Sequence, residues 1–578
     1  MTGRATRAPA VHRLIGWGLA LVTTIAVVVN QRDVGIARDE VVYMQAGARY
    51  ASWWIGLVTL DHGISERSVT QTFGGPGPSD NNREHPPLMK LWFGLSDKLL
   101  HQELGVASEL TAFRMPSAIL HGVVVLLVYL MTLELWGAAE AIVAAVLLMF
   151  LPRALFHAGL ACFDAPAMTL WFATVYAYWA YWRGVDPTRP APHDQASPAG
   201  RRWPWQVGLA WGLALATKHT ALVLPFALGA HYLILGLRAR PEASGATRSA
   251  RIAGAVRAVL GHRWRVIVSL AVLGPLTLYV VWPWLWFAPV AHVRDWLAFH
   301  MGHVHYNYEY LGRNWNAPRF PWHVALVTTL FTVPTATLAA AVLGAGVWIA
   351  RRGRRRGSAP ELLLALSAAA AIAPFLLGTT PIFGAEKHWM PALPTICIAA
   401  AVGVVWSARA AAGAAARFGR VPESLAIAAV AGCVALAAAA ETHVAEPYAL
   451  TWYSALAGGA PGGADLGMNR QFWGVAMRGA LPRLVAEAPP AGPTYVYTHD
   501  ASPAWGFYQR AGLVPRTLVD AGWEQAGIDR SRIAVVIHEL HFNRHDYMIW
   551  RSYGTVQPIY VLRSAGVPIL SVYRRPAR

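Results

Sequence analysis

Charge is scarce in this chain: Asp, Glu, Lys and Arg make up 14% of its 578 residues, against 55% hydrophobic residues. With a positive mean hydropathy and long apolar runs, that balance excludes an ordinary soluble domain and marks a polytopic membrane protein. Cysteine is scarcer still. Cys162, Cys397 and Cys433 fall in or beside apolar stretches, and no CxxC occurs, so neither a disulfide framework nor a thiolate metal site is supported. The sequence has no H-E-x-x-H and no convincing nucleophile–base pair, which argues against an intramembrane protease. No repeat or low-complexity segment stands out beyond the alanine-rich stretch 408–440. The net charge of +18 is mostly arginine gathered in short segments between apolar runs, which reads as membrane topology and not as a nucleic-acid partner.

A spanning helix needs roughly 20 mostly apolar residues. Spans are expected near 13–30, 115–133, 137–152, 163–182, 204–217, 219–237, 266–287, 323–349, 361–378, 389–408 and 423–440, about eleven in all. Arg4, Arg7 and Arg13 precede or open the first run, and no small-residue cleavage site follows it, so that run reads as an uncleaved span. With a cytoplasmic N-terminus, the arginine-rich linkers 183–202, 238–265, 351–357 and 409–420 all fall on the inner face, as the positive-inside rule requires. The outer face then carries 31–112, 153–162, Lys218-His219, 288–322, 379–388 and the tail. The expected place is the inner (plasma) membrane of a bacterium, multi-pass, with the polar segments outside the cytoplasm.

The first outer loop holds Arg38-Asp39-Glu40 and Tyr43 near its start, and Glu84-His85-Pro86-Pro87-Leu88 with Lys90 near its end. Carboxylates beside low-dielectric surroundings are costly unless paired or used for chemistry. Residues 40–57 show helical spacing and suit a helix lying in the interface, with Trp53 and Trp54 at headgroup depth. The stretch 64–83, rich in Gly, Ser, Asn and Pro, reads as a mobile loop. Pro86-Pro87 sets the entry to a second helix over 88–100. Beyond residue 440 the apolar runs shorten. Strands are expected at 494–498, 533–537, 559–562 and 569–573, with helical pieces near 473–487 and 502–511. The chain thus divides into a membrane part, 1–440, and a small α/β domain outside the membrane, 441–578.

R-D-E-x-x-Y at 38–43, E-H-P-P-L-x-K at 84–90, F-D-A-P at 163–166, T-K-H-T-A-L-V-L-P at 217–225 and E-K-H-W-M-P-A-L-P at 386–394 occur in this order along the membrane part. The set resembles the GT-C type of membrane glycosyltransferase, in particular the phospholipid-carrier-dependent group with protein O-mannosyltransferases and aminoarabinose transferases. The segment from Trp452 through Gly458-Gly459 to Phe472-Trp473-Gly474 is similar to one found in some bacterial members. The resemblance implies a mainly helical membrane fold and transfer, with inversion, of a sugar (a hexose or pentose) from a polyprenyl-phosphate donor. The acceptor would be a protein Ser/Thr, a lipid or a surface glycan. Asp39 occupies the position of the family's catalytic aspartate, and relatives carry an acid at the Glu84 position.

Such chemistry needs a base, cations for the leaving phosphate and an apolar groove for the lipid. Asp39 is the candidate base, with Glu40 and Glu84 as further catalytic candidates; the alternative is that Asp39-Glu40 only favours a helix N-terminus. Tyr43, His85, Lys90, Arg114, Asp164, Lys218, His219, Lys387 and His388 are the candidates for donor phosphate and substrate. Snorkelling or headgroup contact is the competing explanation for the cations. Carboxylate plus imidazole suits a divalent ion such as zinc or manganese, and Glu84 with His303 is the candidate pair. Histidines hydrogen-bonded within a loop are the alternative. A multispan secondary transporter of a polar or anionic solute is the main rival. It would favour ionisable groups near the bilayer midplane and two repeated halves, whereas acids here cluster at helix ends.

Overall fold

The computed structural model describes residues 10–74, 82–182, 203–238, 264–351, 359–416, 419, 421–488, 492–539 and 543–577. Of the arginine-rich linkers, 183–202, most of 238–265 and of 351–357, and part of 409–420 lie outside the described residues, as do 75–81 of the first outer loop.

The protein is mainly helical, with a small mixed sheet near its C-terminus, as the sequence implies. Among the described residues, five helices are long and apolar enough to cross a membrane: Ala10–Asn30, Glu109–Leu135, Trp264–Val281, Met390–Ala415 and Glu423–Ala445. Two bent pairs, Ala138–Met149 with Pro152–Ala158 (68°) and Val324–Thr332 with Thr335–Ala350 (119°), raise the number to seven if each pair is counted as one span. All eleven expected spans fall on helices, and these seven are the ones that meet the test of length and composition among the described residues. Pro152 and Pro334 sit at the two bends, where a missing N–H and a restricted preceding residue break the helix. The other apolar segments are helical but shorter or more polar: Asp164–Trp182, Trp205–Leu215, His219–Leu235 and Pro360–Leu376. Asp164–Trp182 is buried around most of its circumference, the pattern of a helix enclosed by others. Its Met168, Trp171 and Val175 join Val125, Leu148 and Ile398 in the largest apolar core.

Two helices of the 31–112 segment meet closely. Arg38–Val58 and Leu88–Ser96 cross where Gly47 meets Gly94. A Cβ on Gly94 would stand 2.0 Å from the Gly47 carbonyl oxygen, and one on Gly47 2.3 Å from that of Lys90. Because the obstacles are backbone atoms, nothing there can give way. The expectation of a loop over 64–83 is corrected in part, since Glu66–Phe73 is a helix capped by the Ser65 hydroxyl. Trp53, expected at headgroup depth, packs inside the protein. It is buried against Phe73 and Trp286, with its Nε1–H given to the Ser68 hydroxyl.

A short antiparallel pair, β1 (Tyr308–Tyr310) and β2 (Arg313–Trp315), lies in the 288–322 loop. In the tail, β3 (Thr494–Tyr497), β4 (Leu518–Asp520), β5 (Ile533–Ile537), β6 (Tyr560–Ser564) and β7 (Val567–Arg574) form one sheet. Their order is β4-β3-β5-β7-β6, with β3 parallel to β4 and β5 and the remaining pairs antiparallel. The four expected strands are present; sequence reading missed β1, β2 and β4, each three residues long. Ala565 and Gly566, both at positive φ (45° and 86°), make the two-residue turn between β6 and β7 that a hairpin's twist favours.

This sheet is not a separate bead. Val496, Ile533 and Leu570 share one apolar cluster with Val34, Met44, Phe93 and Phe113 of the membrane part. The Ile36 N–H donates to the Tyr508 hydroxyl at 2.9 Å, and Arg510 holds both carboxylate oxygens of Glu109. The tail is therefore docked on the first outer loop, against the side that carries Asp39.

Candidate active site

Asp39 and Glu40 both sit in the first turn of Arg38–Val58, where the helix dipole favours carboxylates. Successive residues on a helix point about 100° apart, and the two acids part company accordingly. Glu40 turns into the protein and is fully buried. Its oxygens accept two bonds from Arg114, at 2.8 and 2.7 Å, and one each from the Ala161 and Ala37 N–H groups. Arg114 spends its remaining donors on the carbonyls of Gln31, Val34 and Gly35. Neither residue lines the cavity described below. Glu40 as a catalytic group and Arg114 as a phosphate ligand are thus corrected: they form a buried, bidentate pair that fixes the helix start.

Asp39 turns the other way, into a cavity of about 540 Å³ that also reaches Tyr43, Glu84, His85, Asp164, Lys218, His219, His303, Lys387 and His388. Most of the expected site residues, distant in sequence, are therefore brought together. Lys90 is not among them. Its buried ammonium donates to the Asn82 and His85 carbonyls at 2.5 and 2.8 Å, holding the Glu84-His85 turn in shape. Pro86-Pro87 then starts the next helix without a donor to satisfy.

The cations enter from two other elements. Lys218 lies in the break after the helix Trp205–Leu215 and gives its ammonium to Asp164 at 2.6 Å. Lys387 lies over the face of Trp473, 3.9 Å from the ring centroid, a placement that stabilises a desolvated ammonium. Burial pulls the Lys387 ammonium below its ordinary range, and Asp164 and Asp39 partly offset this. Its neighbour Glu386, from the same E-K-H motif, points away and is paired with Arg153 at 2.7 Å, which anchors the turn.

Several wall residues went unrecognised in the sequence. Trp473 donates its Nε1–H to Asp39 at 2.9 Å, while its carbonyl accepts the Arg38 N–H, also at 2.9 Å. The Trp473-Gly474 pair carried a signal, as part of the segment similar to bacterial relatives, but its partner was not readable. His499, Asp500, Trp523 and Glu539, all from the tail, complete the cavity wall, and Asp500 pairs with Arg38. Burial and the nearby Asp500 push the Glu539 carboxyl well above the usual range. A hydrogen bond to a charged group is worth about 1.5–3 kcal/mol. Trp473→Phe keeps the ring over Lys387 and removes the donor to Asp39, so turnover is expected to fall by on the order of 10–100-fold. Steady-state kinetics on the purified variant would check this; unchanged turnover would show that Trp473 does not position Asp39.

Residues 83–299 match the family model for dolichyl-phosphate-mannose-protein mannosyltransferase. No curated protein sequence matches the chain. Among solved structures, it is similar to ArnT from Cupriavidus metallidurans bound to undecaprenyl phosphate, with 14% identity and a TM-score of 0.49 over 96% of this chain and 97% of that one. Another is the archaeal oligosaccharyltransferase AglB from Archaeoglobus fulgidus, in complex with an inhibitory peptide and a dolichol-phosphate. There the identity is 14% and the TM-score 0.47, covering 94% of this chain and 71% of that one. The S. cerevisiae protein O-mannosyltransferase Pmt1–Pmt2 complex bound to the sugar donor matches at 18% identity and a TM-score of 0.33, covering 48% and 34%.

Proposed function

We propose that this membrane glycosyltransferase takes its sugar from a polyprenyl-phosphate donor and passes it, with inversion, to an acceptor hydroxyl on the outer face of a bacterial plasma membrane. The observation that carries the reading is one cavity in which a helix-end carboxylate, Asp39, faces two buried lysines, Lys218 and Lys387. Asp39 takes the acceptor's proton as the acceptor oxygen bonds the anomeric carbon. The bond from that carbon to the phosphate oxygen breaks, and its electron pair leaves with the phosphate. Lysine ammonium groups suit a phosphate as compact point charges, and a positioned base contributes about 10²–10⁴-fold. The tail residues His499, Asp500, Trp523 and Glu539 stand on the Asp39 side and would receive the acceptor, which is a protein Ser/Thr, a lipid or a glycan.

Binding of polyprenyl phosphate, the product, tests the phosphate site without needing the acceptor. Lys387→Met is expected to weaken it about 10–100-fold, the value of one hydrogen bond to a charged group at about 1.5–3 kcal/mol. The parent should also lose affinity on the alkaline side, because the Lys387 ammonium titrates below the ordinary lysine value of ~10.4. The folded site binds phosphate only while that proton is held, so affinity falls as pH rises, and Lys387→Met should flatten this limb. Fluorescence titration in detergent would read both. Unchanged affinity at every pH would remove Lys387 from the phosphate site.

A further inference from the structure

Trp523 is set apart from the other tryptophans of the tail. Trp452, Trp473 and Trp505 are buried, whereas Trp523 is 62% exposed and still lines the cavity that holds Asp39. A single exposed apolar side chain is ordinary on a protein surface, but this one is held in place. Gly522, at φ 76°, turns the chain just ahead of it, in the left-handed region that glycine enters without strain. Arg530 donates to the Ala521 carbonyl at 3.2 and 2.6 Å, and the Trp523 carbonyl accepts the Tyr497 hydroxyl of β3 at 3.4 Å. His499 meets the indole in a T-shaped contact, 6.5 Å between centroids and 73° between planes. At that exposure the contact leaves a face of the indole open.

We propose that Trp523 is a stacking platform for a sugar ring of the acceptor, so that the hydroxyl receiving the transferred sugar belongs to a glycan. The proposal rests on the transferase reading and chooses among the three acceptor classes. The face of an indole is electron-rich and attracts the C–H side of a pyranose or furanose ring. Asp500 and Glu539 share the wall with Trp523, and carboxyl oxygens match the hydroxyls that edge such a ring. Glu539 Oε2 is buried without a hydrogen-bond partner among the described residues. Buried polar atoms are ordinarily satisfied, and a sugar hydroxyl reaching this wall would satisfy it. Burial and the nearby Asp500 hold the Glu539 carboxyl toward its protonated form, in which it can donate as well as accept.

The other two acceptor classes fit this wall less well. An acyl chain would lie against His499, Asp500 and Glu539, which are polar. The phosphate of a lipid headgroup would face two acids, with Arg38 already paired to Asp500. A Ser or Thr side chain offers one hydroxyl and no C–H face broad enough to cover an indole. A glycan offers both together. Its hydroxyl oxygen bonds the anomeric carbon of the donor, its proton passes to Asp39, and the phosphate leaves with the electron pair.

The test is saturation-transfer NMR on the full chain in a sugar-free detergent, with mannotetraose, maltotetraose, cellotetraose and chitotetraose as probes. Saturating the aromatic protons of the protein should pass signal to ring C–H protons of at least one probe. Trp523→Ala should weaken that binding by about tenfold or more, as loss of an anchoring tryptophan does, and Trp523→Phe should retain part of it. Tyr547→Ala removes a ring just as exposed but outside the cavity wall, and should change nothing. Polyprenyl-phosphate binding by Trp523→Ala should stay parental, which shows the cavity intact. No binding of any probe overturns the proposal, and so does parental binding in Trp523→Ala. In membranes, linkage analysis of the labelled product should find the transferred sugar joined to another sugar. Attachment to Ser, Thr, a lipid alcohol or a phosphate overturns the glycan assignment. Oligosaccharide binding that depends on Trp523, with no transfer from any donor, would support the platform and remove the transferase reading instead.

Discussion

Replacing Asp39 by Asn is expected to reduce sugar transfer by about 10²–10⁴-fold, the usual contribution of a positioned general base, while leaving the protein folded. Asn keeps the shape and an oxygen for the Trp473 Nε1–H that Asp39 Oδ2 now accepts, but it cannot take the acceptor's proton. Binding of polyprenyl phosphate should change little, because Asp39 is not among the cations proposed to hold the phosphate. The loss should therefore appear in kcat and not in donor affinity. Glu84→Gln is the informative companion. Glu84 lines the same cavity, and one of its oxygens accepts from the Asn82 side chain at 2.7 Å. If Asp39→Asn retains near-parental turnover and Glu84→Gln does not, the base is Glu84.

Arg114→Met is expected to be the most damaging substitution for folding. Arg114 and Glu40 are both fully buried, and removing one partner of a buried pair leaves a charge with no solvent, at a cost of about 3–5 kcal/mol. Three backbone carbonyls, of Gln31, Val34 and Gly35, lose their donors as well. Yield and the midpoint of thermal unfolding in detergent should both fall sharply. The double variant Glu40→Gln with Arg114→Met should recover part of the loss, since no charge is then stranded. A parental midpoint for Arg114→Met would contradict the structural role assigned to the pair. The neighbours Asp39 and Glu40 thus predict opposite phenotypes: one loses chemistry, the other loses the fold.

That contrast shows where sequence reading reaches and where it stops. Asp39-Glu40 was legible as a pair of acids at a membrane boundary, but two adjacent acids on one helix cannot face the same cavity. Applied to the span beginning near Arg114, the cost of a buried charge would have demanded a partner, and Glu40 is that partner. Asp164 and Lys218 were legible as an acid and a cation at helix ends, and they are paired. The eleven expected spans came from apolar content alone. Hydropathy cannot tell a lipid-facing helix from one enclosed by others, as Asp164–Trp182 is, and cannot see the sharp bends at Pro152 and Pro334. In the tail, alternating apolar residues revealed four strands, whereas the three-residue β4 is too short to show a period. The wall formed by Trp473, His499, Asp500 and Glu539 was out of reach because it depends on how the tail docks, a contact between residues hundreds of positions apart.

The most direct measurement is transfer itself. Membranes carrying the parent chain, or Asp39→Asn at equal level, are given a panel of radiolabelled polyprenyl-phosphate sugars, and labelled acceptor is collected together with released polyprenyl phosphate. Transfer from one donor by the parent, matched by release of the lipid phosphate and lost in Asp39→Asn, is the predicted result. Solute uptake dependent on this chain, with no transfer from any donor, would contradict the account.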